Sequence, residues 1–256
     1  MSARVFPASQ KLLSYVRRAV QDYDMIDGGD KIAVGVSGGK DSMALLCLMK
    51  TLSCFYPRSF EINALSLDMG FPGQNLDGVK RLADEIEVEL ITVKTEIYKI
   101  VFETRAEKSP CSLCSNLRRG ALHDAAISRG IKKLALGHNR EDVLETFFLN
   151  LFNEGRIAAF SPVTYLDRKD ITVIRPLIYA PEKELTRFAA AENLPLAAKA
   201  CPSDGHTQRQ VIKNLIESLE RQNHGIKKNI FGALERGGVS GFKKPSPQRR
   251  KKQNEL

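Results

Sequence analysis

GVSGGKDS, residues 35–42, lies between a β-rich apolar run, KIAVGVS (31–37), and a helical one, DSMALLCLMKTL (41–52). Glycines directly after a buried strand let the chain turn sharply and expose backbone amides to an anion. The start of the following helix adds its dipole. The stretch therefore predicts a strand–loop–helix that binds phosphate. It is not the G-x-x-x-x-G-K-[ST] loop of common nucleotide triphosphatases. With Gly39-Lys40 as anchor, the first glycine would fall on Val34 and the hydroxyl residue on Asp41. Nor is it G-x-G-x-x-G, so a dinucleotide site has little support. Asp41 is an acid where polyphosphate is to be held, and the reading has to account for it.

Outward from this loop, strands and helices alternate. EINALSLD (61–68), VELITVKT (88–95) and KKLALGH (132–138) read as strands. NLDGVKRLADEI (75–86), NLRRGALHDAAISRG (116–130) and EDVLETFFLNLF (141–152) read as helices. This order predicts an α/β fold, a Rossmann-like parallel sheet with helices on both faces. Ligands of such folds bind beyond the carboxyl ends of the strands. Ser37 to Ser42, Asp68 with Met69, and Gly137 to Asp142 each follow a predicted strand. A helix over 10–23 precedes the sheet. ITVIRPLIY (171–179) reads as a strand, and helices follow over 181–193, with Pro181 at the first position, 207–222 and 226–234. The expected division is an N-terminal helical segment (1–28), an α/β domain (29–180), a helical region (181–238) and a basic, disordered tail (239–256).

The 256 residues carry a net charge of +9. The stretch KKPSPQRRKKQNEL (243–256) has six basic residues and one acid, so +5 of the +9 lies there and +4 elsewhere. Such a tail is either solubilising or an electrostatic tether for RNA. No apolar run approaches the ~20 residues of a membrane span. The start lacks a secretory signal, so a cytoplasmic location is expected. Five cysteines, an odd number, argue against a disulfide framework. Cys47 and Cys54 read as buried core thiols. Cys111 and Cys114 form a C-x-x-C just ahead of a predicted helix, and Cys201 stands alone in KACPSDGHTQRQ (199–210). Three thiolates leave one coordination position open, as suits a site that works on an exogenous ligand. A closed zinc site with His206 and a thiol pair for persulfide relay are the competing readings.

S-G-G-x-D-S in GVSGGKDS resembles the loop of the PP-loop ATP pyrophosphatases, which cleave ATP between the α and β phosphates and pass AMP to a substrate. LGHNREDVLET (136–146) resembles their second motif. With PCSLCSNLRRG (110–120), and a cysteine before QRQVI (208–212), the chain looks like the tRNA 2-thiocytidine synthetase family over most of residues 12–220. The resemblance implies that Ser37, Gly38, Gly39 and Ser42 hold pyrophosphate, with Lys40 beside them, and that Asp41 acts through Mg2+. It implies that Asp68, Met69, Gly137, His138 and Asp142 face the nucleotide. It also implies a [4Fe-4S] cluster on Cys111, Cys114 and Cys201, tRNA as substrate, and an outside sulfur donor such as a cysteine desulfurase system. The target would be cytidine 32, and relatives commonly form homodimers. Arg118 and Arg119, one turn beyond Cys114, would bind RNA phosphate or stabilise charge at the activated base, next to Asp41 and Asp142 in the catalytic set.

The chain departs from the family in having His138-Asn139 where two histidines are expected. That form also occurs in 2-thiouridine synthetases, whose extra zinc-binding C-x-x-C pairs have no counterpart here. Two further readings stand beside this one. A cluster-free ligase of the same superfamily would not need the three cysteines. A zinc-stabilised RNA-binding protein would not need an intact SGGKDS.

Overall fold

A computed structural model of the chain describes residues 6–105, 110–198, 201 and 207–243. His206 and most of the basic tail (244–256) lie outside the described residues. The six strands are β1 (Asp30–Gly35), β2 (Phe60–Asp68), β3 (Leu90–Lys94), β4 (Lys133–Ala135), β5 (Val163–Leu166) and β6 (Ile171–Ile174). They form one sheet in the order β3-β2-β1-β4-β6-β5. Every pairing is parallel except β5 with β6. The direction of winding reverses between β1 and β4. Their carboxyl ends therefore open the crevice in which such sheets take their ligands.

Alternation along the strands assigns the two faces. Ile32, Val34 and Ala64 point into the larger core with α2 (Lys40–Ser53). Ala33, Leu65 and Leu134 point the other way, where α4 (Pro110–Ile127) packs. The α2 run from Ser42 to Met49 is buried throughout, because α1 (Gln10–Asp22) and α6 (Glu182–Ala191) cover the side turned away from the sheet. Cys47 is fully buried in this layer, as expected; Cys54, beyond its end, is exposed. The other helices are α3 (Asp77–Glu85), α5 (Arg140–Glu154), α7 (Gln208–Gln222) and α8 (Ile226–Gly237).

Four features differ from the sequence reading. The helix expected from residue 116 begins at Pro110, so the C-x-x-C lies inside α4 rather than ahead of it. Proline suits a first helical turn, where its missing N–H is not needed. The strand expected over 171–179 stops at Ile174. Pro176 cannot donate to a ladder, and the backbone turns instead through Ile178 N–H to Arg175 O (3.1 Å) and Ala180 N–H to Leu177 O (2.8 Å). Pro181 is the cap of α6 rather than its first residue. β5 is an added antiparallel edge strand, turned back onto β6 through Asp170 at φ 47°.

One irregular stretch fixes the site. After α6 the chain runs from Leu194 to Ala198 without regular structure, over α3 and the loop that follows β1. A Cβ placed on Gly78 would stand 2.3 Å from the Pro195 carbonyl oxygen, and one on Gly38 would stand 2.6 Å from Ala197 Cβ. Gly38 O accepts the Ala197 N–H at 3.0 Å. Alanine normally gains about 1 kcal/mol over glycine in a helix, but forced overpacking costs about 1–3 kcal/mol. Gly78→Ala is accordingly expected to lower the melting temperature by roughly 2–6 °C. Gly120→Ala in α4, with no atom within 4 Å of the new Cβ, is expected to leave it unchanged or raise it. Thermal unfolding of the two variants side by side checks the contact.

Candidate nucleotide and thiol site

The loop after β1 is held by its own serines. Ser42 Oγ donates to Gly39 O (2.9 Å), accepts the Ser37 N–H (3.1 Å) and lies 3.2 Å from Ser37 Oγ. Gly38, at φ +82°, supplies the left-handed turn that aims the chain into α2. From the other side of the crevice Gly137 sits directly on the helix start: its Cβ would meet Asp41 C and Ser42 N at 3.1 Å. The result is a helix N-terminus open to an anion, flanked by the β1 and β4 loops.

Asn139 joins the two loops. Its side chain accepts the Asp142 N–H (3.1 Å), and the Asp142 carboxylate accepts the Asn139 N–H (2.9 Å), a complete capping box at the start of α5. The Asn139 side chain also helps hold down the pKa of Asp41. Asparagine caps helices well, which accounts physically for His-Asn in place of a histidine pair. His138 turns away from these acids. Its ring packs 4.9 Å from that of Phe160, and its Nδ1 is buried without a partner. Burial, helped by Arg175, Arg209, Arg118 and Arg119, pushes its pKa down to about 3, so it is neutral. Asp68 Oδ1 accepts the Gly70 N–H (3.1 Å), and Met69 borders the apolar cluster that also takes in Cys114.

The acids by the loop are matched by Lys40 at the start of α2 and by two cations of α7. Lys40 Nζ lies 2.9 Å from Asp41 and 3.0 Å from Glu182 on α6. Lys213 on α7 lies 2.8 Å from both oxygens of Glu182. Arg209, one turn earlier, reaches Asp142 (3.3 Å) and Glu145 (3.2 Å). Burial raises the pKa values of Asp41 and Asp142 despite these partners. It raises that of Glu145, with Asp142 adding to the effect, to about 7. Glu145, Glu182, Arg209 and Lys213 were not singled out in the sequence. The available signals were acids at i and i+3 in EDVLE (141–145) and cations at i and i+4 in RQVIK (209–213).

Of the three predicted thiols, Cys111 and Cys114 lie one turn apart on α4, and the charge of Cys201 reaches Cys114. Cys111 and Cys201 are exposed and Cys114 is partly buried. Burial raises the Cys114 pKa, Arg118 lowers it, and the charges of Cys201 and Cys111 act on it. Among the described residues no group of three or more His, Cys, Asp or Glu side chains is gathered as a metal site. The donor chemistry, two thiols one turn apart on α4 and a third whose charge reaches Cys114, with the Arg118 guanidinium also acting on Cys114, nevertheless fits a thiolate-held group. Arg118 and Arg119 are exposed, and Arg119 hydrogen-bonds Asn116 and Ser115 O on its own helix.

Residues 10–219 match the family model for the PP-loop domain. A tRNA-cytidine(32) 2-sulfurtransferase of Teredinibacter turnerae is 41% identical over 229 residues, 89% of this chain and 76% of its own length. That of Citrifermentans bemidjiense is 38% identical over 89% of this chain and 90% of its own. The chain belongs to this sulfurtransferase family of PP-loop enzymes. The fold agrees with that of a solved U34-tRNA thiolase, NcsA of Methanococcus maripaludis with its [4Fe-4S] cluster. The two superpose with a TM-score of 0.71 at 24% identity, over 90% of this chain and 79% of the other. Among the described residues no helix is long and apolar enough to cross a membrane.

Glu145 gives the family member a pH signature. Its folded pKa, about 7, lies above the ordinary 4.5. Below pH 4.5 both states are protonated and nothing is lost. Between pH 4.5 and 7 the unfolded chain ionises first, and the fold loses stability as pH rises. Glu145→Gln removes that loss. It is expected to stabilise the protein by on the order of 2 kcal/mol at pH 8 and not at pH 4. Denaturant melts at the two pH values check the sign.

Proposed function

We infer that the protein is an ATP-dependent tRNA thiolase that activates the C2 carbonyl of a pyrimidine, cytidine 32, and replaces its oxygen with sulfur to give 2-thiocytidine, AMP and pyrophosphate. One observation supports this reading most: the loop of AMP-forming type, S-G-G-x-D-S, accepts at Gly38 O the N–H of Ala197, in the segment that in sequence precedes Cys201. The names of the relatives supply the nucleotide.

The α2 amides and the Ser37 and Ser42 hydroxyls would receive the pyrophosphate part of ATP. Asp41, freed from Lys40, would hold the Mg2+ that accompanies it, and the ion would offset the phosphate charge. Its raised pKa favours this exchange, because a divalent cation relieves the cost of a half-buried carboxylate. Lys40 would then turn to phosphate. Asp142 has both oxygens engaged, so its part is to fix the β4 loop against Asp41. The C2 oxygen of the base attacks the α-phosphorus and pyrophosphate leaves. A sulfur nucleophile then adds at carbon 2, and AMP leaves with the oxygen. Activation splits one hard displacement into two easier ones.

Cys111, Cys114 and Cys201 would hold a [4Fe-4S] cluster, which would supply the sulfur from an outside donor. Arg118 and Arg119 would stabilise the negative charge that builds on the base and its phosphate. A cytoplasmic location goes with this reading.

Anaerobic purification should yield iron and inorganic sulfide in equal amounts, lost in Cys111→Ala. Stoichiometric zinc without iron would overturn the cluster assignment. Asp41→Ala should keep its iron but form AMP at least a hundredfold more slowly; AMP release at the wild-type rate would overturn the assignment of the loop.

A further inference from the structure

Glu182 has more cation around it than an ordinary surface acid. One oxygen is shared between Lys40 (3.0 Å) and Lys213 (2.8 Å), and the other is bound by Lys213 alone (2.8 Å). The residue is fixed in place, since it opens α6 and its own N–H donates to Glu141 Oε2 at 2.7 Å. Lys213 is fixed as well. It stands one turn after Arg209, whose guanidinium holds α7 against α5 through Asp142, Glu145 and Thr146. Three charges thus run in a row from the phosphate loop to α7: Lys40, Glu182, Lys213. Burial opposes the charge on all three, yet the two lysines are raised in pKa and Glu182 is lowered, so each stays ionised by virtue of its neighbours.

An acid this close to a phosphate loop has two costs. It competes with phosphate for Lys40, and it repels phosphate directly. Lys213 offsets both. We propose that Lys213 is a positioning residue for ATP: by neutralising Glu182 it lets Lys40 leave that carboxylate for the triphosphate, without itself touching the nucleotide. This rests on the ATP reading above. It gives α7 a function beyond packing, because the helix that follows the Cys201 segment then sets how readily the loop takes ATP.

The test is a thermodynamic cycle by calorimetry. The full-length, anaerobically purified protein is titrated with magnesium and an ATP analogue that cannot be cleaved between the α and β phosphates. Lys213→Ala should weaken binding about tenfold, while Lys213→Arg should bind like wild type. Glu182→Gln should bind as well as wild type or better. The Lys213→Ala/Glu182→Gln double variant should recover to within about twofold of wild type, because the uncompensated charge is gone. Melting temperatures of all four are measured alongside. A double variant that stays as weak as Lys213→Ala would mean that Lys213 holds the nucleotide itself or only supports the fold, and would overturn the inference. So would Lys213→Ala binding like wild type. Failure of the wild-type protein to bind the analogue would instead refute the ATP reading.

Discussion

A peptide segment can lie directly on a phosphate loop only where the loop has no side chains in the way. Gly38 provides this under Ala197, as Gly78 does under Pro195, with 2.3–2.6 Å left for a missing Cβ. Everything distinctive about the site depends on that approach. It bonds the loop to the chain that goes on to Cys201, whose charge reaches Cys114 on α4. Gly137 does the same across the crevice, seating the β4 loop on the start of α2. The α/β sheet gives the general location, between β1 and β4. The glycine contacts bring the β1 loop, the β4 loop and the segment after α6 into direct contact.

Electrostatics set the resting state of this arrangement. Asp41, Asp142, Glu145 and Glu182 crowd the loop and are balanced by Lys40, Arg209 and Lys213, three cations for four acids. Such a site is poorly suited to a bare polyanion and well suited to one that brings a divalent cation. The opening puzzle of an acid in the phosphate loop is answered by its partners. Asp41 is held by Lys40, 2.9 Å away, at the start of α2.

Much of this was legible in the sequence. β1, the loop and α2 follow from local patterning, because an apolar strand, glycines and a long apolar helix leave few alternatives. The parallel sheet follows from the alternation of elements. β5 was missed because four residues at an antiparallel edge carry almost no periodic signal. The C-x-x-C was put outside α4 because the sequence between Pro110 and Asn116 has little apolar period, and a proline start outweighs it. Glu182, Lys213, Arg209 and Glu145 were out of reach for a different reason. Their roles come from packing between α5, α6 and α7, which no local pattern encodes. Asn139 is the instructive case: as a departure from a motif it pointed also to 2-thiouridine synthetases, whereas in the structure it is a helix cap paired reciprocally with Asp142.

Activation and sulfur insertion at one pyrimidine is the central claim, and product stoichiometry tests it most directly. Anaerobically purified protein is incubated with ATP, Mg2+, sulfide and tRNA lacking the modification. AMP is measured by chromatography and the tRNA nucleosides by mass. The account predicts that 2-thiocytidine and AMP accumulate one for one. AMP without a thiolated nucleoside, or 2-thiouridine in place of 2-thiocytidine, would contradict it.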